Sequence, residues 1–250
     1  MSITRLTLEY DGTDFHGWQA QPQASVRTVA GVLADAIAIV TGETPRLVAA
    51  GRTDAGAHSL GQTVSFELGD EVDVERLRDS LNGLLPADVV VTRAEIAEVG
   101  FHARFSARRR HYRYLVENRP ARGALLRDRA WQVRRPLDLA AMRAAGRILV
   151  GRRDLGAFGK DPAGRNTVRN LERLRIRRLR GADGSLVAFE LSADAFLYGM
   201  VRRIVGLLVE VGLGRRSTAD VEVLASTPTA PWQPRVAPAH GLYQLAVEYR

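Results

Sequence analysis

Alternating apolar and polar residues predict the first element of this chain. Residues 3–10 alternate in this way and stop at Asp11-Gly12, which is typical of a half-buried strand followed by a turn. Residues 29–40 then carry apolar side chains at helical spacing. Thr28 is suited to the N-cap of this helix and Gly42 to the position after its end. The chain therefore opens with a strand and a helix.

The same two periodicities continue to the end of the chain. In the first half they predict strands at 46–50, 63–68 and 89–96 and a helix at 74–84 that is ended by Pro86. In the second half they predict strands at 112–116, 173–179, 186–191 and 243–249 and helices at 137–150, 200–211 and 218–225.

The order of the first six elements is β-α-β-β-α-β, the ferredoxin-like or split βαβ pattern. We therefore predict an α+β protein of two such halves, residues 1–107 and residues 108–250. The halves are expected to share a mixed, mainly antiparallel central sheet flanked by helices. RNA-binding domains use the open face of such a sheet.

The amino-acid composition excludes several kinds of active site. The 250 residues include no cysteine, which excludes a thiol nucleophile, a disulfide framework and a thiolate metal site. The five histidines have no ligand spacing, so we expect neither a metal nor a cofactor. No signal peptide begins the chain and no apolar run approaches a membrane span of about 20 residues. A cytoplasmic protein with no membrane contact is expected.

Charge points to a nucleic-acid partner. The formal net charge is +8, and Lys160 is the single lysine, so the positive charge comes from arginine. The candidate RNA-contacting residues are Arg104, Arg108, Arg109, Arg110 and the arginines between 173 and 180, among which Arg173, Arg175 and Arg177 share one strand face. An exposed sheet edge could carry the same strand pattern.

One loop could carry covalent chemistry. Asp54 lies between two predicted strands and is flanked by Gly51 and Gly56, which let a loop run close to a ligand. A bare Asp-Ala-Gly is more typical of an ordinary turn. Arg52 favours a ligand-binding loop over an ordinary turn, because a guanidinium two residues before the acid can meet the charge of a phosphorylated nucleotide.

The segment Gly51-Arg52-Thr53-Asp54-Ala55-Gly56-Ala57-His58 resembles the catalytic signature of the tRNA pseudouridine synthase A family. Further blocks resemble that family in the same order along the chain. They are Tyr10-Asp11-Gly12-Thr13, Gly17-Trp18-Gln19, residues 101–107, residues 110–114, residues 196–206 and residues 237–243. The sequence departs from the family's usual residues at Ala57, Ser59, His111 and Gly199, and none of these removes a group that the chemistry needs.

The resemblance implies the pseudouridine synthase fold and the conversion of uridine to pseudouridine at positions 38–40 of the tRNA anticodon stem-loop. Asp54 takes the place of the family's essential aspartate. The reaction breaks the N1–C1′ bond and joins C5 to C1′, which needs a carboxylate beside the sugar but no redox agent or metal. Whether Asp54 attacks C1′ or removes the 2′ proton is open.

The resemblance also implies roles for four other residues and a homodimer that binds tRNA. Tyr112 would pack against the target uracil, Arg202 would pair with Asp54, and the second half would complete the active-site cleft. Arg52 would act when the target base leaves its stack, and Leu242 would line the uracil pocket. By spacing alone, Tyr112 and Leu242 also suit core packing, and Arg202 suits a solvated helix position.

Two other functions fit parts of the sequence. A non-catalytic RNA-binding protein on a ferredoxin-like sheet explains the charge and the element order, but not the Arg-Thr-Asp loop. A nuclease or glycosylase would need clustered carboxylates and a metal. Asp11, Asp14 and Asp54 are not spaced for such a cluster.

Overall fold

The computed structural model describes residues 2–20, 26–69, 73–161, 164, 166–179, 184–227 and 232–249. The chain divides into two compact units, Met1–Arg108 with Tyr243–Arg250, and Arg109–Leu242. The closing strand, which the sequence pattern assigns to the second half, thus groups with the first unit.

In chain order the strands and helices are β1 (Ser2–Tyr10), α1 (Val29–Thr41), β2 (Val48–Ala49), β3 (His58–Leu68), α2 (Val74–Leu84), β4 (Val89–Ile96), β5 (Arg109–Glu117), β6 (Trp131–Gln132), α3 (Leu139–Leu149), β7 (Gly151–Asp154), β8 (Val168–Arg178), β9 (Leu186–Ala193), α4 (Met200–Gly212), α5 (Thr218–Ser226) and β10 (Leu242–Glu248). Single-turn 3₁₀ helices cover Gly156–Phe158 and Ala239–Gly241. Among the described residues, no helix is both long enough and apolar enough to cross a membrane.

The sheet of the first unit has β1 at its centre, antiparallel to both β3 and β4. β10 adds to β3 in parallel, with Tyr243 opposite His58 and Gln244 opposite Ser59. The alternation in β1 buries Leu6 and Leu8 in one core cluster with the apolar face of α1. This packing explains why the first strand and helix are readable from the sequence.

The caps of α1 are those that the sequence predicts. The Thr28 side chain accepts a hydrogen bond from the Gly31 N–H, and Gly42 adopts a left-handed φ of 73° with its own N–H bonded to the Ala38 carbonyl. Because both ends of the helix are satisfied locally, α1 begins and ends within one residue of its predicted bounds.

The second unit contains a four-stranded antiparallel array in the order β5-β9-β8-β7, with β6 added in parallel to β5. Its core includes the fully buried Tyr114, Phe189, Met142 and Leu149. Mainly antiparallel strands and flanking helices confirm the α+β class in both units.

Several elements differ from the sequence prediction. The strands β6 and β7 are not predicted, because two or four residues are too few to show alternation. Helix α3 begins at Leu139 rather than 137, since the Asp138 side chain accepts from the N–H groups of Ala140 and Ala141 and so caps it. β3 begins at His58, five residues earlier than predicted.

Candidate active site

The loop that carries Asp54 connects β2 to β3 in the first unit. Asp54 is partly buried, whereas Arg52 is exposed. The Ala57 N–H donates to the Asp54 carbonyl at 3.1 Å and closes a tight turn, in which Gly56 takes a φ of 77°. The turn places the carboxylate and the guanidinium on a short, well-defined segment.

Residues 10–18, which follow β1, hold this loop in place. The buried hydroxyls of Tyr10 and Thr53 are 2.8 Å apart. The Trp18 N–H donates to the Thr53 carbonyl at 3.1 Å, and the Gly56 N–H donates to the Phe15 carbonyl at 3.2 Å. Hydrogen bonds on both sides of Asp54 therefore fix the backbone on which its side chain stands.

Two glycines let the backbone of residues 10–18 approach the loop. A Cβ on Gly12 would lie 1.9 Å from the Ala57 carbonyl oxygen, and one on Gly17 would lie 2.7 Å from the Thr53 carbonyl oxygen. Gly17 also has a φ of 88°, which L side chains rarely adopt. No larger residue fits either position without moving the loop.

His58 and Gln62 secure the two ends of the loop. The His58 Nδ1 lies 3.1 Å from both the Gly12 nitrogen and a carboxylate oxygen of Asp11, and the ring stacks on Tyr243 with centroids 4.7 Å apart. At the other end, the Gln62 amide donates to the Gly51 carbonyl at 2.7 Å. His58 is buried and braces the loop.

Tyr112 and Tyr114 lie on one face of β5 in the second unit, but their surroundings differ. Tyr114 is fully buried, and its hydroxyl donates to the Pro238 carbonyl at 2.7 Å. Burial raises the pKa of Tyr114 far above its ordinary value. Tyr112 keeps 8% exposure and packs edge-on against Phe196, with ring centroids 4.9 Å apart. Both tyrosines are therefore buried, and they differ in what they contact: Tyr114 bonds to a backbone carbonyl, whereas Tyr112 packs on Phe196.

Arg202 is near the start of α4, also in the second unit. Its Nε donates to the Ala237 carbonyl at 2.7 Å, and the Ala237 N–H returns a bond to the Arg202 carbonyl at 3.1 Å. One turn along, a Cβ on Gly206 would lie 1.9 Å from the Arg235 carbonyl oxygen. The segment that leads to Leu242 thus packs directly on α4, and Leu242 itself is buried.

The arginines predicted to contact RNA fall into two groups. Arg104, Arg108, Arg173 and Arg175 are exposed. Arg109 pairs with Glu172, Arg110 is buried and donates to the Asp194 carbonyl at 2.6 Å, and Arg177 pairs with Glu190 at 2.9 Å. Arg180 lies outside the described residues.

Glu190 accepts from Arg113 as well as Arg177, each at 2.9 Å. The Arg177 hydrogen bond, followed by the Arg113 bond, lowers the pKa of the Glu190 carboxyl against the opposing effect of burial. Arg177 therefore has a structural partner within its own unit. In the part of the chain that the structure describes, no three His, Asp or Glu side chains gather as a metal site.

Sequence reasoning identified the loop but not what holds it. Tyr10, Gly12 and Gly17 were read as parts of a motif without a role, and the structure assigns each a contact with residues 53–57. Two glycines and an aromatic residue within one short segment were the available signal, since glycine in a compact loop often marks a close backbone approach.

The chain is thus an α+β protein with a net charge of +8, and hydrogen bonds on both sides of Asp54 hold its Arg-Thr-Asp loop. The chain belongs to the tRNA pseudouridine synthase family. The model of that family matches residues 7–106 and 145–250. Members of the family are isomerases, which confirms the predicted enzyme class.

Curated relatives match over the whole length of the chain. The tRNA pseudouridine synthase A of Acetivibrio thermocellus is 37% identical, with 100% of both chains covered, and that of Moorella thermoacetica is 39% identical with the same coverage. The protein of this name from Afipia carboxidovorans is 42% identical, with 98% of each chain covered. Among solved structures, an archaeal box H/ACA sRNP Nop10-Cbf5 complex aligns with 82% of this chain and 44% of its own at 10% identity and a TM-score of 0.37.

Proposed function

We propose that this protein isomerises uridine to pseudouridine at positions 38–40 of the tRNA anticodon stem-loop, with Asp54 as the essential carboxylate. The observation that carries the proposal is the fixed loop: hydrogen bonds at Thr53, Asp54 and Gly56 hold its backbone, while the Asp54 side chain stays partly exposed. A preorganised carboxylate of this kind is what a reaction at a sugar carbon needs.

The chemistry assigned to Asp54 balances without an external reagent. The N1–C1′ bond breaks, the uracil turns, and C5 bonds to C1′. The hydrogen on C5 leaves as a proton, and N1 takes one up. In one route the carboxylate attacks C1′ and forms a covalent ester with the sugar. In the other it removes the 2′ proton and later returns it.

Four further residues are assigned to binding the target nucleotide. Arg52 is exposed beside Asp54 in sequence, which suits it to support a base that leaves the stack. Tyr112, which is 8% exposed, offers an aromatic ring for packing against uracil, and Leu242 offers an apolar side chain. Arg202, whose Nε donates to the Ala237 carbonyl, keeps its proposed role as the basic partner of the catalytic carboxylate.

The tRNA backbone is assigned to exposed arginines. Arg104, Arg108, Arg173 and Arg175 remain the candidates for phosphate contacts, because their side chains reach solvent. Arg110 is assigned instead to holding the end of β5, since it is buried on the Asp194 carbonyl. The ion pairs of Arg109 and Arg177 would have to rearrange before either contacts RNA.

The test is release of the C5 hydrogen as water from an unmodified tRNA transcript labelled at C5 of uridine, without added metal or cofactor. Wild-type protein is expected to release it, and Asp54→Asn to abolish release while tRNA affinity changes little. Asp14→Asn, an exposed acid in the segment that holds the loop, is the matched control and should keep wild-type turnover. Release by Asp54→Asn would contradict the assignment, and no release by wild-type protein would refute the function.

The two routes for Asp54 are separated by deuterium at C2′ of the target uridine. Removal of the 2′ proton predicts a primary isotope effect on single-turnover rates, whereas attack at C1′ predicts none. The non-catalytic RNA-binding alternative predicts tRNA binding with no pseudouridine formed by any variant.

A homodimer and a cytoplasmic location complete the proposal. Sedimentation of the wild-type protein at working concentration tests the dimer, and a fully active monomer would reject it. Fractionation of cells that express the protein tests the location, since a tRNA-modifying enzyme has to meet its substrate in the cytoplasm.

A further inference from the structure

An aromatic ring protrudes from the turn between β4 and β5, away from the Asp54 loop in sequence. Phe105 is 68% exposed. It stacks on the His102 imidazole with centroids 4.4 Å apart and an interplanar angle of 25°. The Arg104 guanidinium carbon lies 5.5 Å from the Phe105 centroid. The three side chains form what we call the ring platform: His102, Arg104 and Phe105.

Local hydrogen bonds make the ring platform rigid. The His102 Nδ1 accepts from the backbone N–H of Arg104 at 3.3 Å and of Phe105 at 3.2 Å, which fixes the imidazole under the phenyl ring. The Ser106 hydroxyl accepts from the His102 N–H at 3.0 Å, and the Ser106 N–H donates to the His102 carbonyl at 2.9 Å. The turn therefore closes on itself around the two rings.

Buried contacts anchor the same turn to the sheet of the first unit. Ala103 is fully buried, and its N–H donates to the Ser65 hydroxyl on β3 at 3.0 Å. The Tyr249 hydroxyl donates to the Ala103 carbonyl at 2.7 Å. An exposed phenyl ring on a turn with this many fixed contacts is preorganised for a ligand, because little freedom is lost on binding.

The surroundings of the ring indicate the chemistry of that ligand. Arg104 and Arg108 are exposed on either side of Phe105 in sequence, and the chain carries a net charge of +8. Aromatic rings beside arginines bind unpaired bases, since the ring stacks on the base while the guanidinium groups meet the phosphates. A hydrophobic protein partner would instead be expected to meet an apolar patch without flanking charge.

We infer that the ring platform is a stacking site for an unpaired base of the tRNA substrate, distinct from the target uridine. The inference rests on the proposed function for the identity of the RNA. Arg104 was already a candidate phosphate contact; the new elements are Phe105 as the stacking surface and His102 as the residue that positions it.

The test compares tRNA binding by wild-type protein, Phe105→Ala and Phe105→Trp. Leu125→Ala is the control, because Leu125 is 93% exposed and lies outside the ring platform. Loss of one stacked base weakens binding by about 5- to 150-fold, so roughly a tenfold rise in Kd is expected for Phe105→Ala. Phe105→Trp should restore affinity, and Leu125→Ala should leave it unchanged.

Two probes make the test specific for a stacked base. A blunt RNA duplex without unpaired bases should bind wild-type protein and Phe105→Ala equally. The fluorescent base 2-aminopurine, placed singly at unpaired positions of the tRNA, should lose fluorescence at one position with wild-type protein but not with Phe105→Ala.

Three results would overturn the inference. They are an unchanged Kd for tRNA with Phe105→Ala, an equal loss of duplex and tRNA affinity, and a change in sedimentation that assigns Phe105 to an interface between copies of the chain. Release of the C5 hydrogen by wild-type protein is measured on the same tRNA. Failure of that reaction would refute the proposed function, independently of how Phe105→Ala binds.

Discussion

Gly12→Ala is the sharpest test of the idea that residues 10–18 position Asp54. The added Cβ would stand 1.9 Å from the Ala57 carbonyl oxygen, whereas such atoms keep at least about 3.0 Å apart. The obstacle is backbone, which cannot rotate aside as a side chain would. The loop must therefore retreat by roughly 1 Å at Ala57, three residues after Asp54.

When a reacting group is displaced by about 1 Å, the rate of the reaction can fall on the order of 100-fold. We expect kcat/KM for C5 hydrogen release to fall by about that factor in Gly12→Ala. Overpacking should also lower the free energy of unfolding by about 1–3 kcal/mol. The Kd for tRNA should change little, because the exposed arginines are unaltered.

Gly83→Ala is the matched control for this variant. Gly83 lies in α2, and a Cβ there would meet nothing within 4 Å. It should leave turnover unchanged and stabilise the protein by about 0.5–1 kcal/mol, because alanine loses less backbone entropy in a helix. Urea denaturation and single-turnover kinetics measure both effects. If Gly12→Ala folds normally and keeps the wild-type kcat/KM, residues 10–18 do not position the Asp54 loop.

Two further predictions concern buried polar groups. Tyr10→Phe removes the hydroxyl that bonds to Thr53, so the free energy of unfolding should fall by about 0.5–1.5 kcal/mol in urea titrations; an unchanged value would mean that this bond does not stabilise the fold. Burial lowers the pKa of His240, aided by Arg202 and opposed by Asp128. As the pH falls below about 6.5, the unfolded state binds a proton before the folded state does. Stability that is present above that pH is therefore lost at acid pH. Urea titrations from pH 7.5 to 5 should show this loss in wild-type protein and less of it in His240→Gln; equal slopes would contradict the reasoning.

The bounds of an element could be predicted to the residue where they depend on residues nearby in the chain. The bounds of α2 and β4 agree with the sequence prediction because a single periodicity runs through each and Pro86 separates them. The start of α1 agrees because Thr28 supplies the capping oxygen from its own side chain. In each case the decisive interactions lie within a few residues along the chain.

The start of β3 could not be predicted in that way. The sequence pattern predicts a strand only from residue 63. In the structure Gly61 lies within the strand, and a Cβ there would be 2.5 Å from the Leu245 carbonyl oxygen. The glycine is explained by the close approach of β10, which is 184 residues away in the chain.

The sequence by itself determined the fold class, most of the helices and strands, and the loop that carries Asp54, because these depend on periodicity, capping and a contiguous motif. Only the tertiary structure decided which residues of the same type share the same surroundings. The Tyr114 hydroxyl bonds to the Pro238 carbonyl while Tyr112 packs on Phe196, and Arg110 is buried while Arg108 is exposed. Alternation assigns a residue to a face of a strand, but how deeply it is buried depends on distant segments that cover that face.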